Sequence, residues 1–156
     1  MSDYEKLPQA CDADRKEAPD PIGPTDSDVL GPLSLLVVED DPDTRGNLID
    51  ILEMDGYCVQ AAATFGQALR EARWDEYFAI VLDRKLPDGN SENFLPQLRL
   101  LAPQAAIVIV TGYEDLTGAI AALRNGASDY LIKPVDPDTL RNRLRQLAEK
   151  RQAELA

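Results

Sequence analysis

The chain has 156 residues, 44% hydrophobic and 28% charged, with a net charge of −12. It contains no histidine, which excludes a Ser-His-Asp triad, histidine-ligated zinc and a histidine phosphocarrier role within the chain. The acidic balance argues against direct nucleic-acid binding, which needs a concentrated positive surface, and the apolar runs are too short to span a bilayer.

Residues 1–32 hold five of the eleven prolines and eight acids against three bases. Few large apolar residues occur there, so the stretch reads as a disordered acidic tail. It lacks the apolar core of a secretory signal. From Leu33 the pattern changes to short apolar runs alternating with helix-like segments. Leu33–Val38 reads as a first strand. Asp41 is a plausible N-cap with Pro42 at the first helical position, and that helix ends near Asp55-Gly56. Tyr57–Ala61 is a second strand, containing Cys58. Thr64 caps a helix running to about Arg73. Phe78–Leu82 is a third strand, and Leu86-Pro87-Asp88-Gly89 a turn. The next helix carries Leu95, Leu98 and Leu101, with Pro96 near its start. Ala106–Val110 is a fourth strand, 115–125 a helix closed by Gly126, and Asp129–Ile132 a fifth strand. A last helix, capped by Asp136 or Asp138, runs from Thr139 onward. The two cysteines, Cys11 and Cys58, form neither a metal pattern nor a disulfide framework, which fits a reducing, cytoplasmic setting.

Strict alternation of strand and helix implies a doubly wound parallel sheet with helices on both faces. In such a sheet the carboxyl ends of the strands meet in one crevice, where ligands bind. Glu39 and Asp40 follow the first strand, Asp83 the third, Thr111 the fourth and Lys133 the fifth. Acids, a hydroxyl and an ammonium suit a divalent cation and a phosphoryl group. Magnesium needs only one or two carboxylates besides phosphate and water. Asp83 would be the nucleophile of an acyl-phosphate mechanism, Lys133 would pair with a phosphoryl oxygen, and Thr111 would donate its hydroxyl. Each residue alone has an ordinary reading: Glu39, Asp40 and Asp41 as helix caps, Asp83 as a turn ligand, Lys133 as an exposed lysine, Thr111 as a strand-closing residue. Their shared position at four strand ends favours the joint reading.

At this point the chain resembles the response-regulator receiver domains of bacterial two-component signalling, the CheY-like receivers, over about Leu33 to Arg145. The matching segments are VVEDD with Glu39-Asp40, VLDRKLPDG with Asp83, IVTGYED with Thr111, and GASDYLIKP with Tyr130 and Lys133-Pro134. The resemblance implies a (βα)5 fold with strand order 2-1-3-4-5. It implies phosphotransfer from a histidine kinase or histidine phosphotransfer protein to Asp83. It implies Mg²⁺ (or Mn²⁺) held by Asp40 and Asp83, with Glu39 acting mainly through water and the backbone carbonyl of Lys85 completing the site. It further implies a cis Lys133–Pro134 peptide, and a switch in which Thr111 moves toward the phosphoryl group while Tyr130 turns inward. The responding surface would include the fourth helix, fifth strand and fifth helix. Lys85 and Tyr113 differ from common variants, and their bulk would shield the acyl phosphate from water and slow self-dephosphorylation.

The expected organisation is a tail over 1–32, a receiver domain over 33–147 and a helical extension over 148–156. No helix-turn-helix, cyclase or phosphodiesterase pattern follows the receiver. The favoured reading is a signalling phosphoacceptor rather than an enzyme, acting on a downstream protein target, with a homodimer possible and no membrane or nucleic-acid partner. A receiver module of a larger sensor kinase or multidomain regulator is the alternative. A small Mg-dependent phosphohydrolase is a third reading. Such enzymes usually place a second catalytic acid two residues after the nucleophile, where this chain has Lys85.

Overall fold

The computed structural model describes residues 33–112, 116–124 and 126–155; the expected acidic tail lies outside them. Strands are β1 (Ser34–Val38), β2 (Cys58–Ala62), β3 (Tyr77–Asp83), β4 (Ala106–Gly112) and β5 (Asp129–Lys133). Helices are α1 (Pro42–Met54), α2 (Phe65–Glu71), α3 (Ser91–Leu101), α4 (Leu116–Arg124) and α5 (Pro137–Leu155). The five strands form one parallel sheet in the order β2-β1-β3-β4-β5. This is the 2-1-3-4-5 order, with the chain reversing direction of travel beside β1 and β3, where an open parallel sheet leaves its crevice.

Alternation along the strands builds two apolar layers, one on each face. Leu35, Val37, Val81, Val108 and Val110 pack with Leu48 and Leu52 of α1 and Leu140 and Leu144 of α5. Leu36, Val38, Ile80, Leu82, Ile107 and Ile109 pack with Phe65 and Ala68 of α2 and Leu95 and Leu98 of α3. The central strands are buried on both sides, and this is why their sequences are continuous apolar runs rather than alternating ones. Helix α4 adjoins α3, β4 and β5.

The elements differ from the sequence reading mainly at their ends. The third strand begins at Tyr77 and reaches Asp83 itself. Tyr77 is buried, and its hydroxyl donates to Gln60 and accepts from the Arg73 amide at 3.0 Å, so a polar tip is accommodated inside. Burial pushes that phenol up to about 12. Helix α2 stops at Glu71, and a short 3-10 turn, Trp74–Glu76, leads into β3. The turn after Asp83 is a small antiparallel hairpin pairing Lys85-Leu86 with Gly89-Asn90. Pro96 sits at the sixth residue of α3 without ending it. Helix α5 begins two residues earlier than Thr139, at Pro137. Asp136 accepts from the Thr139 amide at 2.9 Å and is therefore the cap, with Asp138 in the first turn.

Candidate functional site

Register brings the strand ends together. Val38 lies beside Leu82, so the next residues, Glu39 and Asp83, are neighbours. Asp83 lies beside Val110, which places Thr111 one residue further along. Gly112 lies beside Lys133. The carboxylate oxygens of Glu39, Asp40 and Asp83 come within 4.8 Å of one another. Lys133 Nζ is 3.2 Å from Glu39 Oε1 and 3.2 Å from Asp83 Oδ1. The side chains of Glu39 and Asp83 are 1% and 9% exposed, whereas that of Lys133 is 31% exposed. Asp40 stands at the solvent edge. One ammonium therefore reaches down from the rim onto two buried acids.

The ordinary and the functional readings of the acidic cluster divide residue by residue. Asp41 is the cap of α1: its carboxylate accepts from the Thr44 amide and hydroxyl, each at 2.8 Å. Those bonds hold its carboxyl below the usual carboxylate range. Glu39 serves two purposes. Its Oε2 accepts from the Asp41 amide at 3.1 Å, fixing the turn. Its Oε1 is buried with no aligned hydrogen bond among the described residues, facing the charge of Lys133. A buried carboxylate oxygen left in this way costs free energy unless a cation completes its shell. Burial raises the pKa of Glu39, the Asp41 amide opposes this, and Asp83 adds to it. For Lys133, burial works against the charge, yet Asp83 and Glu39 outweigh it and its pKa is raised. The site is thus anionic, partly dehydrated and short of positive charge. Two or three carboxylates on one crevice wall are the donor set of a hard divalent cation.

Thr111 is buried at the end of β4. Tyr130 is half-buried and packs against the apolar layer that holds α2 and α3; it does not join the charged group. The Lys133–Pro134 peptide is cis. Lys85 lies on the hairpin with its side chain exposed, and Tyr113 is outside the described residues.

Three supporting features carry no signal in the sequence by themselves. Arg45 Nη1 donates to the Glu39 carbonyl at 2.9 Å, bracing the acidic corner from α1. Asp88 accepts from the amides of Phe65 and Gly66 at 3.2 and 2.8 Å, so the hairpin after Asp83 is tied to the start of α2. Ser91 Oγ donates to the Asp83 carbonyl.

Residues 35–145 match the family model described as the response regulator receiver domain. The chain belongs to that family. A CheY-like receiver from Methanospirillum hungatei shares the fold with a TM-score of 0.72 and 31% identity, over 80% of this chain and 99% of that one. A response regulator from Burkholderia pseudomallei, solved with a phosphorylated aspartic acid and a calcium ion, gives a TM-score of 0.67 and 31% identity, over 80% of this chain and 73% of that one. The photosynthetic apparatus regulatory protein RegA of Rhodobacter capsulatus is 38% identical over 71% of this chain and 60% of its own length. BasR of Escherichia coli, a transcriptional regulatory protein, is 33% identical over 76% of this chain and 53% of its own length. The chain spans about 60% of the length of the RegA relatives it matches. As a receiver domain it is a two-component signalling phosphoacceptor with the acidic triad typical of the receiver metal site, and receivers pair with histidine kinases. Among the described residues, no helix is long and apolar enough to cross a membrane.

Proposed function

We propose that Asp83 accepts a phosphoryl group from a phosphohistidine on a partner kinase or phosphotransfer protein, and that the acyl phosphate changes a protein-binding surface. The observation that carries this reading is the buried Asp83 carboxylate facing Lys133 at 3.2 Å, within 4.8 Å of two further acids. In the transfer, an Asp83 oxygen forms a bond to phosphorus as the phosphorus–nitrogen bond of the donor breaks. The chain supplies the missing pieces of an electrostatic clamp. Lys133 pairs with one phosphoryl oxygen, Thr111 donates to another, and the Asp41 amide holds Glu39 in place. Asp40 and Asp83, with Glu39 behind them and the Lys85 carbonyl beside them, would hold Mg²⁺ or Mn²⁺. When bound, such an ion would supply positive charge to offset that on the transferring oxygens. A cleft of about 390 Å³ lies between α1 and the segment Lys133–Val135, with Lys133 in its wall.

The switch in this reading couples Thr111 with Tyr130 and is displayed on α4, β5 and α5. It biases two packings of one fold rather than building a new one. The tail (1–32), receiver (33–147) and helical extension (148–156) are the organisation we assign, in a cytoplasmic setting. A second reading, a receiver module within a longer regulator, draws support from the 60% of RegA that the chain covers.

The test is intact-protein mass after incubation with acetyl phosphate and Mg²⁺. One phosphoryl adduct, absent in Asp83→Asn and absent without the metal, supports the reading. An adduct of the same yield in Asp83→Asn would overturn it.

A further inference from the structure

The residue after Asp83 is an arginine whose side chain turns away from the acidic site. Arg84 Nη2 lies 2.7 Å from Glu92 Oε2, in the first turn of α3. Both side chains are largely buried, 12% and 20% exposed. The second oxygen, Glu92 Oε1, is buried and has no hydrogen-bond partner among the described residues. The guanidinium also lies directly on the backbone of α4. A Cβ built on Gly118 would overlap Arg84 Cζ and Nε and stand 2.7 Å from Nη2. An arginine tip is ordinarily easy to push aside. This one is fixed by Glu92, and its main chain is fixed as well: the Arg84 amide donates to Val110 of β4 and its carbonyl accepts from the Ser91 amide, each at 2.8 Å.

We propose that Arg84 is a positioning residue for the switch: Glu92 holds its guanidinium against α4 at Gly118, and this clasp ties the position of α4 to the strand end that carries Asp83. The inference rests on Asp83 being the phosphoacceptor. The same helix follows Thr111 closely in the chain, so α4 is linked to the site twice, once through β4 and once through Arg84. A rearrangement at Asp83 and Thr111 must either carry the clasp along or break it. Breaking it leaves a buried carboxylate without its cation, which makes intermediate positions costly and two discrete ones favoured. A simple structural ion pair would add stability without coupling the site to the helix. The two readings make different predictions.

The experiment is a double-mutant cycle. One change is Gly118→Ala, which pushes on the clasp. The other is the pair Arg84→Ala and Glu92→Leu, which removes both charges of the clasp together. The first readout is apparent affinity for beryllofluoride with Mg²⁺. Gly118→Ala is expected to change it by about fivefold or more when Arg84 is present, and by less than about twofold when the clasp is gone. Equal changes in both backgrounds would overturn the proposal. The second readout is amide hydrogen exchange, which needs no phosphoryl chemistry. Removing the clasp is expected to speed exchange over 116–124 by about tenfold and leave 42–54 unchanged. Exchange unchanged in 116–124, or faster everywhere alike, would overturn the proposal too. If the unsubstituted protein binds no beryllofluoride, the phosphoacceptor reading of Asp83 fails, and the exchange measurement still decides the clasp.

Discussion

At the scale of single residues, the site is governed by an imbalance: two buried acids share one ammonium. Glu39 carries the consequence. Its pKa is raised, by burial first and by Asp83 in addition. A raised folded-state value means the native state holds that proton more tightly than the unfolded chain does. The resulting stabilisation is complete below the ordinary glutamate value of 4.5 and is lost as pH rises through the raised one. We expect the urea midpoint of the protein in EDTA to fall as pH is raised across that interval. Glu39→Gln should remove this part of the pH dependence, and an unaltered profile in the variant would show that Glu39 is not its source. Lys133→Met tests the other side of the imbalance. It deletes the cation that would meet the phosphoryl oxygens in the proposed transfer, and phosphoryl uptake from acetyl phosphate should slow by about a hundredfold. Mg²⁺ affinity should not weaken, because a competing positive charge has gone.

Elements decide how these residues meet, and they also show what a sequence reveals. The strand ends were legible because central strands buried on both faces demand uninterrupted apolar runs, the half-buried edge strand β5 keeps a shorter run, Tyr130–Ile132, and the first polar residue after each run marks the crevice. Glu39, Asp83, Thr111 and Lys133 are found that way. The cap Asp41 was legible from Pro42 directly after it, at the first helical position. Features joining distant segments were not. Arg84, just past β3, Glu92 of α3 and Gly118 of α4 come from three separate segments, and no local pattern pairs them. Asp88 read as a turn residue because its Pro-Asp-Gly setting signals a turn. Its hydrogen bonds to Phe65 and Gly66 arise only from tertiary packing. The same bonds give a prediction. Asp88 ties the hairpin that bears Lys85 to the start of α2, and the Phe94 ring, stacked on Phe65 with centroids 4.0 Å apart, lies against its Gly89. Asp88→Ala should loosen that hairpin and reduce Mg²⁺ affinity by about tenfold, as loss of an outer-shell support commonly does. Titration calorimetry measures this directly, and unchanged affinity would separate the hairpin from the metal site.

For the whole molecule, the metal site should act as part of the fold's stability. The acids that would bind the ion also repel one another across the central strands, so the metal-free protein carries a penalty that a bound cation relieves. Mass action sets the size: a ligand at about 100 times its dissociation constant stabilises the native state by about 2.7 kcal/mol. For a domain of this size that is a rise in melting temperature of several degrees, on the order of 5–15 °C. Saturating Mg²⁺ should produce such a rise, and EDTA should reverse it. Asp40→Ala separates binding from folding. Asp40 is exposed and sits outside both apolar layers, so its loss should leave the metal-free melting temperature nearly unchanged. The Mg²⁺-dependent rise should shrink to less than about half. An equal rise in Asp40→Ala would place the ion elsewhere. A rise that is absent even in the unsubstituted protein would mean that Lys133 alone compensates the buried acids. The same burial of neighbouring acids that raises the pKa of Glu39 should make the ion a folding ligand and leave Asp83 ready to share its oxygens with a phosphoryl group.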